Sequence, residues 1–298
     1  MKNKSLAGSL TLFVTAFIWG VAFVFQRSGM DHIGPLSFMA ARCVLAVVFL
    51  AVLNLAVNKK NAFSFDRPTL TGGILCGLLL TAANNFQQIG MQYTGAGKAG
   101  FITALYIILV PVFGVLVLKK KESPRIWAAV ALGAAGLYLL CVEEGFSVER
   151  GDLWIMACAV IFSWHILVSD KYANLADPIK MSFLQFAVCT VLGTILAFLL
   201  ETPTWAALQE ARVSILYCGI LSAGVGYTLQ IFGQRSVKPA AASLIMSMES
   251  VFAVLSGWLF LQERLSGREL AGCIVMFIAI LMIEIPSGKR GNDPAAEG

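Results

Sequence analysis

One carboxylate, Glu249, lies about eleven residues into an apolar run of about 23 residues that extends from Pro239 to Leu261. A charge at such depth is costly in hydrocarbon and marks a candidate functional site. Glu249 could accept a proton, bind a substrate amine, or pair with Arg42, itself about a third of the way along an earlier apolar run. The competing reading is structural: a fixed ion pair, or a protonated glutamate held by hydrogen bonds. A second group of polar residues, Thr81, Asn84, Asn85, Gln88 and Gln92, is spaced by three or four positions, which gathers it largely onto one helical face. That stripe would line a wet cavity, or glue helices together at about 0.6 to 2 kcal/mol per hydrogen bond. Tyr227, Thr228 and Gln230 hold comparable positions on a later run, and Ser243, Ser247 and Ser250 follow the run of Glu249. Trp19, Tyr106, Trp164 and Tyr227 sit near mid-run, away from the interfacial level where such rings concentrate. There they either pack or contact an apolar or cationic substrate. His165, beside Trp164, is a candidate proton carrier or a hydrogen-bonded helix linker.

The elements that position these groups are long and apolar. Hydrophobic residues make up 58% of the chain and charged residues 13%, where a soluble domain has roughly 45–50% and about 25%. Ten runs approach the roughly 20 residues that cross a bilayer: Leu6–Ser28, Pro35–Val57, Thr69–Gln92, Ala96–Leu118, Ile126–Val142, Asp152–Tyr172, Pro178–Leu200, Ser214–Arg235, Pro239–Leu261 and Leu270–Ile285. The first is too long for a signal-peptide core and is expected to remain in the mature protein. The fold class is therefore an all-α membrane protein with ten transmembrane helices. The net charge of +5 resides in short clusters between runs, a pattern suited to an anionic membrane surface rather than to nucleic acid. Lys59, Lys60, Arg67, Lys119, Lys120, Lys121, Arg125, Lys171, Lys180, Arg235 and Lys238 fall on one side, whereas the other holds Arg27, Lys98, Arg150, Arg212, Arg264 and Arg268. The first set is cytoplasmic by the positive-inside rule, and with it both termini. The seven cysteines are scattered and odd in number, which indicates neither disulfides nor a zinc site, and no cofactor or metal is expected.

A shift of 143 positions maps Gln87 onto Gln230, Gly90 onto Gly233, Ala99 onto Ala242, Gly114 onto Gly257 and Pro35 onto Pro178. The same register pairs Tyr106 with Glu249, a phenol with a carboxylate. It divides the chain into residues 1–142 and 151–285, with a disordered cytoplasmic tail at 286–298. Five spans per unit is an odd number, so the second unit lies inverted relative to the first, the geometry of alternating access about a midplane site.

The stretch Gln88-Ile89-Gly90-Met91-Gln92-Tyr93-Thr94-Gly95-Ala96-Gly97-Lys98-Ala99-Gly100-Phe101-Ile102, with Leu105-Tyr106 and Val110-Pro111 after it, resembles the third-to-fourth helix signature of EamA-type permeases of the drug/metabolite transporter superfamily. Met248-Glu249-Ser250-Val251-Phe252-Ala253 and Leu261-Gln262-Glu263-Arg264-Leu265-Ser266 are similar to that family's ninth-helix pattern, with Ser250 where the family often has proline. The resemblance implies that helices one, three, four, six, eight and nine line a central cavity and that five and ten lie at the periphery. It also implies a small-molecule substrate, moved mostly outward, from a range covering amino acids, other metabolites, vitamins and drugs.

The expected function is thus a secondary transporter in a bacterial cytoplasmic membrane, a monomer or homodimer, exporting an amino-acid-like or small amphipathic compound with possible proton coupling. Its candidate binding residues are Trp19, Asn84, Asn85, Gln88, Tyr106, Trp164, His165, Tyr227, Gln230, Ser247 and Glu249, with Arg42 and Glu249 as a charge pair. An intramembrane enzyme using Glu249 and His165, or a non-transporting receptor or scaffold, is the alternative. No phosphate-binding loop and no His-Glu-x-x-His motif supports ATP-driven transport or a metalloprotease.

Overall fold

In the computed structural model, residues 2–93, 96–141, 149–261 and 266–284 are described, and every regular element among them is helical. The helices begin where local chemistry satisfies their first amide groups. Proline, which has no N–H to leave unpaired, opens α2 (Pro35–Asn58) and α8 (Pro178–Leu200). Asp66 caps α3 (Arg67–Gly90) by accepting from the Thr69 amide, and Asp177 caps α8 from the Lys180 amide. Glu149 and Asp152 close a reciprocal capping box at the start of α7 (Arg150–Ala173). α1 covers Lys2–Met30, α6 Pro124–Cys141 and α14 Gly267–Glu284.

Among the described residues, eight helices are long and apolar enough to cross a membrane, and Pro124–Leu140 forms a shorter apolar one. Each of the ten apolar runs is helical over most of its described residues, but three are not continuous. The fourth divides into α4 (Ala96–Ala104) and α5 (Tyr106–Leu116), and the ninth into α12 (Pro239–Met246) and α13 (Glu249–Leu261). The eighth consists of α10 (Arg212–Leu216), a wider π-helical stretch at Tyr217–Gly226, and α11 (Tyr227–Gln234). A short additional helix, α9 (Trp205–Glu210), precedes it. Thr94 and Gly95, residues 142–148, Gln262–Leu265 of the ninth-helix motif, Ile285 and the 286–298 tail lie outside the described residues.

Burial runs opposite to that of a water-soluble protein. Leu10, Phe17, Val48, Phe198, Leu199 and Trp258 are exposed on the outside, while Arg42, Asn84, Gln88, His165, Gln185, Gln230 and Glu249 are buried. Hydrocarbon would solvate the first set, so helix association depends on close packing and internal hydrogen bonds. The small-residue pair Gly73 and Gly77 serves packing within the chain: a Cβ on residue 77 would lie 2.8 Å from the Gln185 carbonyl oxygen of α8. α2 packs on α8, α3 on α7 and α8, and α1 on α11 and α13, while α6 and α14 pack against each other.

Candidate functional site

The interruptions of the fourth and ninth runs fall at Leu105 and at Ser247-Met248, and the 143-residue shift carries Leu105 onto Met248, so both lie at one position of the register. Each is followed by a helix whose first residue is polar: Tyr106 opens α5 and Glu249 opens α13. A helix start carries partial positive charge, which favours a carboxylate there. The Tyr106 hydroxyl donates to Glu249 Oε1 at 2.8 Å. Both side chains are buried, at 3% and 6% exposure. The broken helices therefore bring a phenol and a carboxylate together in the interior.

These two residues share a cavity with Trp19, Phe23, Gln26, Arg42, Asn84, Gln87, Thr103, Phe162, His165, Ile166, Ser222, Tyr227 and Gln230. Measured by the positions a water centre can take, its volume is about 40 Å³. A single water needs roughly 10–15 Å³ by that measure, so the cavity is narrow and holds a few waters at most. Its aromatic side is tightly organised. Trp19 Nε1 donates to the Ser222 carbonyl at 3.1 Å, in the π-helical stretch, and its ring lies 4.7 Å from that of Tyr227. The Tyr227 ring also meets the edges of His165 at 5.8 Å and Phe186 at 5.4 Å.

The polar side is only partly satisfied. Gln87 Nε2 donates to Thr103 Oγ1 at 3.1 Å, Arg42 Nη1 donates to Gln26 Oε1 at 3.0 Å, and His165 Nε2 lies 3.2 Å from Gln185 Oε1. Arg42 Nε, Asn84 Nδ2, His165 Nδ1 and Gln230 Oε1 have no partner among the described residues. Buried polar groups are ordinarily hydrogen-bonded, so four orphaned atoms on residues of one cavity point to a ligand or waters.

Eight of the residues singled out from the sequence line this cavity: Trp19, Arg42, Asn84, Tyr106, His165, Tyr227, Gln230 and Glu249. Asn85 does not, because its amide turns back to the Thr81 carbonyl at 2.8 Å. Gln88 reaches the Met30 sulfur at 3.2 Å, Ser247 donates to Leu244 O at 2.7 Å, and Trp164 stacks on Phe113 at 5.3 Å. The Arg42–Glu249 ion pair is not formed: Glu249 takes its hydrogen bond from Tyr106, and Arg42 gives its own to Gln26. Gln26, Gln87, Ser222 and Phe162 join the site unannounced, although the register that pairs Gln87 with Gln230 was a signal for the first amide. No described residue of α6 or α14 lines the cavity, whereas Arg42 brings in α2.

A bundle of long apolar helices around a buried, partly unsatisfied polar cavity defines a multi-pass membrane protein. The EamA-like transporter family model matches residues 6–142 and again 149–285, and the chain belongs to that family. It is 27% identical to an uncharacterised transporter of Archaeoglobus fulgidus over 95% of this chain and 87% of that one. It is 24% identical to the uncharacterised transporter YoaV of Bacillus subtilis, covering 94% and 98%. It also shares 24% identity with an S-adenosylmethionine/S-adenosylhomocysteine transporter of Chlamydia muridarum, over 85% and 83%. A solved crystal structure superposes with a TM-score of 0.78 at 18% identity, covering 93% of this chain and 97% of that one, and thus shares the fold.

Proposed function

We propose that this chain is a secondary transporter exporting a small amino-acid-like or amphipathic metabolite across a bacterial cytoplasmic membrane, by alternating access at the cavity around Tyr106 and Glu249. The observation that carries this reading is a central cavity lined by a buried cation, a buried carboxylate and orphaned polar atoms, at the level where two helices break. Broken helices at a mid-membrane site are a recurring feature of transporters built from repeats. Organisation as two inverted five-helix units, 1–142 and 151–285, is supported by contacts that exchange under the 143 shift. α3 packs on α7 as α11 packs on α1, and α6 and α14 pack on each other, as do α2 and α8. Both termini are then cytoplasmic. The relative named for S-adenosylmethionine and S-adenosylhomocysteine, which both carry an amino-acid group, fits the proposed substrate type.

The cavity is too narrow for such a substrate, so transport requires the two halves to part. A metabolite-panel binding screen in detergent, followed by liposome flux of each hit with and without a pH gradient, tests the reading. The expected result is saturable flux that Glu249→Gln slows and renders less sensitive to pH. Unchanged affinity and unchanged pH dependence in Glu249→Gln would remove that residue from the mechanism.

A further inference from the structure

Arg42 is 3% exposed, lines the cavity and is a permanent cation, since a guanidinium does not lose its proton in a protein. Its Nη1 donates to the neutral Gln26 amide, and its Nε has no hydrogen-bond partner among the described residues. Glu249, the one carboxylate among the lining residues, is engaged by Tyr106 instead. A buried charge left without a counter-charge is strongly unfavourable, and the fork of an arginine matches a carboxylate in shape and hydrogen-bond geometry. With Arg42 the one permanently charged basic side chain among the described residues that line the cavity, and Glu249 there to repel additional negative charge, a monoanion suits the site better than a phosphate dianion.

We propose that Arg42 is the anion subsite of this cavity: the transported compound carries a carboxylate that docks on the guanidinium through Nε, while Gln26 holds Nη1 and fixes the plane of the fork. This rests on the transporter reading and names the substrate group that the site recognises. Glu249, Tyr106 and the Trp19–Tyr227 rings then face the remainder of the substrate, and the two charges bind opposite ends of it rather than each other.

The test uses the full-length protein in detergent and in liposomes, with the common amino acids and short-chain carboxylic acids as probes, each beside its carboxamide. A charge-assisted hydrogen bond is worth enough for acids to bind roughly ten- to a hundredfold more tightly than their amides. Gln26→Glu puts a carboxylate on the guanidinium without removing any atom from the packing, so it is expected to fold as the parent does and to lose that preference. Arg42→Lys keeps the charge without the fork and is expected to retain the preference in weakened form. Equal binding and flux of acids and amides in the parent protein, or an undiminished preference in Gln26→Glu, overturns the anion subsite and leaves the transporter reading standing. Failure of every probe to bind or to cross overturns both.

Discussion

Tyr106 and Glu249 occupy one position of the 143-residue register, yet their side chains differ in charge and are joined by a hydrogen bond. Removing the donor leaves a buried carboxylate without its partner, so Tyr106→Phe is expected to cost about 1–3 kcal/mol. Glu249→Gln keeps an acceptor for the phenol and is expected to cost less. Melting curves of both variants in detergent check the order, and a more damaging Glu249→Gln would mean that the charge itself stabilises the bundle. Glu249 was legible in the sequence because depth within an apolar run is a one-dimensional quantity. The register paired it with Tyr106 as an equivalent position but not as a hydrogen-bond partner: opposite charge favoured Arg42, while the fold aligned two helix starts and joined the phenol to the carboxylate. Rotation about the helix axis was equally hidden: Asn84 and Asn85 are neighbours in sequence, but only Asn84 faces the cavity.

Helices legible as apolar runs differ from those observed where tertiary contacts reshape them. The breaks at Leu105 and at Ser247-Met248 carry neither proline nor glycine at the interrupted residues, so no local signal marked them. α1 shows how tightly one element is held. A Cβ on residue 20 would lie 2.3 Å from Phe252 Cβ and 2.7 Å from the Glu249 carbonyl oxygen. Gly20→Ala is therefore expected to push α1 away from the start of α13, lowering both the melting temperature and substrate affinity; an unaffected melting curve would show that the contact is soft. At the start of α2, Glu201 accepts from the Leu36 and Ser37 amides at 3.0 and 2.9 Å, capping in trans a helix whose own N-cap is Gly34. Glu201→Ala is expected to cost about 1 kcal/mol, as for the loss of a helix cap, and a shift in melting temperature would register it. The sequence hinted at Pro35 as a helix start but could not reveal that its cap arrives from the end of α8.

Across the whole molecule, the end opposite Glu201 is tied by charge. Lys120 pairs with Asp170 at 3.0 Å, and Arg235 donates to the Ala173 and Ala176 carbonyls at 2.8 Å each. Nearby, burial raises the Glu122 carboxyl above the usual range, with Lys238 and Lys120 drawing it back and Asp170 raising it further. A carboxyl raised by folding favours the folded state most while it is protonated. That advantage fades as pH climbs from about 4, the ordinary glutamate value, through the raised one. Glu122→Gln is expected to remove this fall, so parent and variant melting temperatures diverge over that interval; parallel profiles would contradict it. The basic clusters made this end legible as one side of a membrane, but not which charges would meet.

The narrowness of the central cavity has an electrical consequence. With about 40 Å³ open to water centres, this cavity holds only a few molecules, too few to span the bilayer as a proton wire. The resting protein is then expected to act as an insulator in parallel with the bilayer, so that a cell could carry many copies without discharging its membrane potential. Empty proteoliposomes holding a pH gradient are expected to leak no faster than protein-free vesicles until a substrate is supplied.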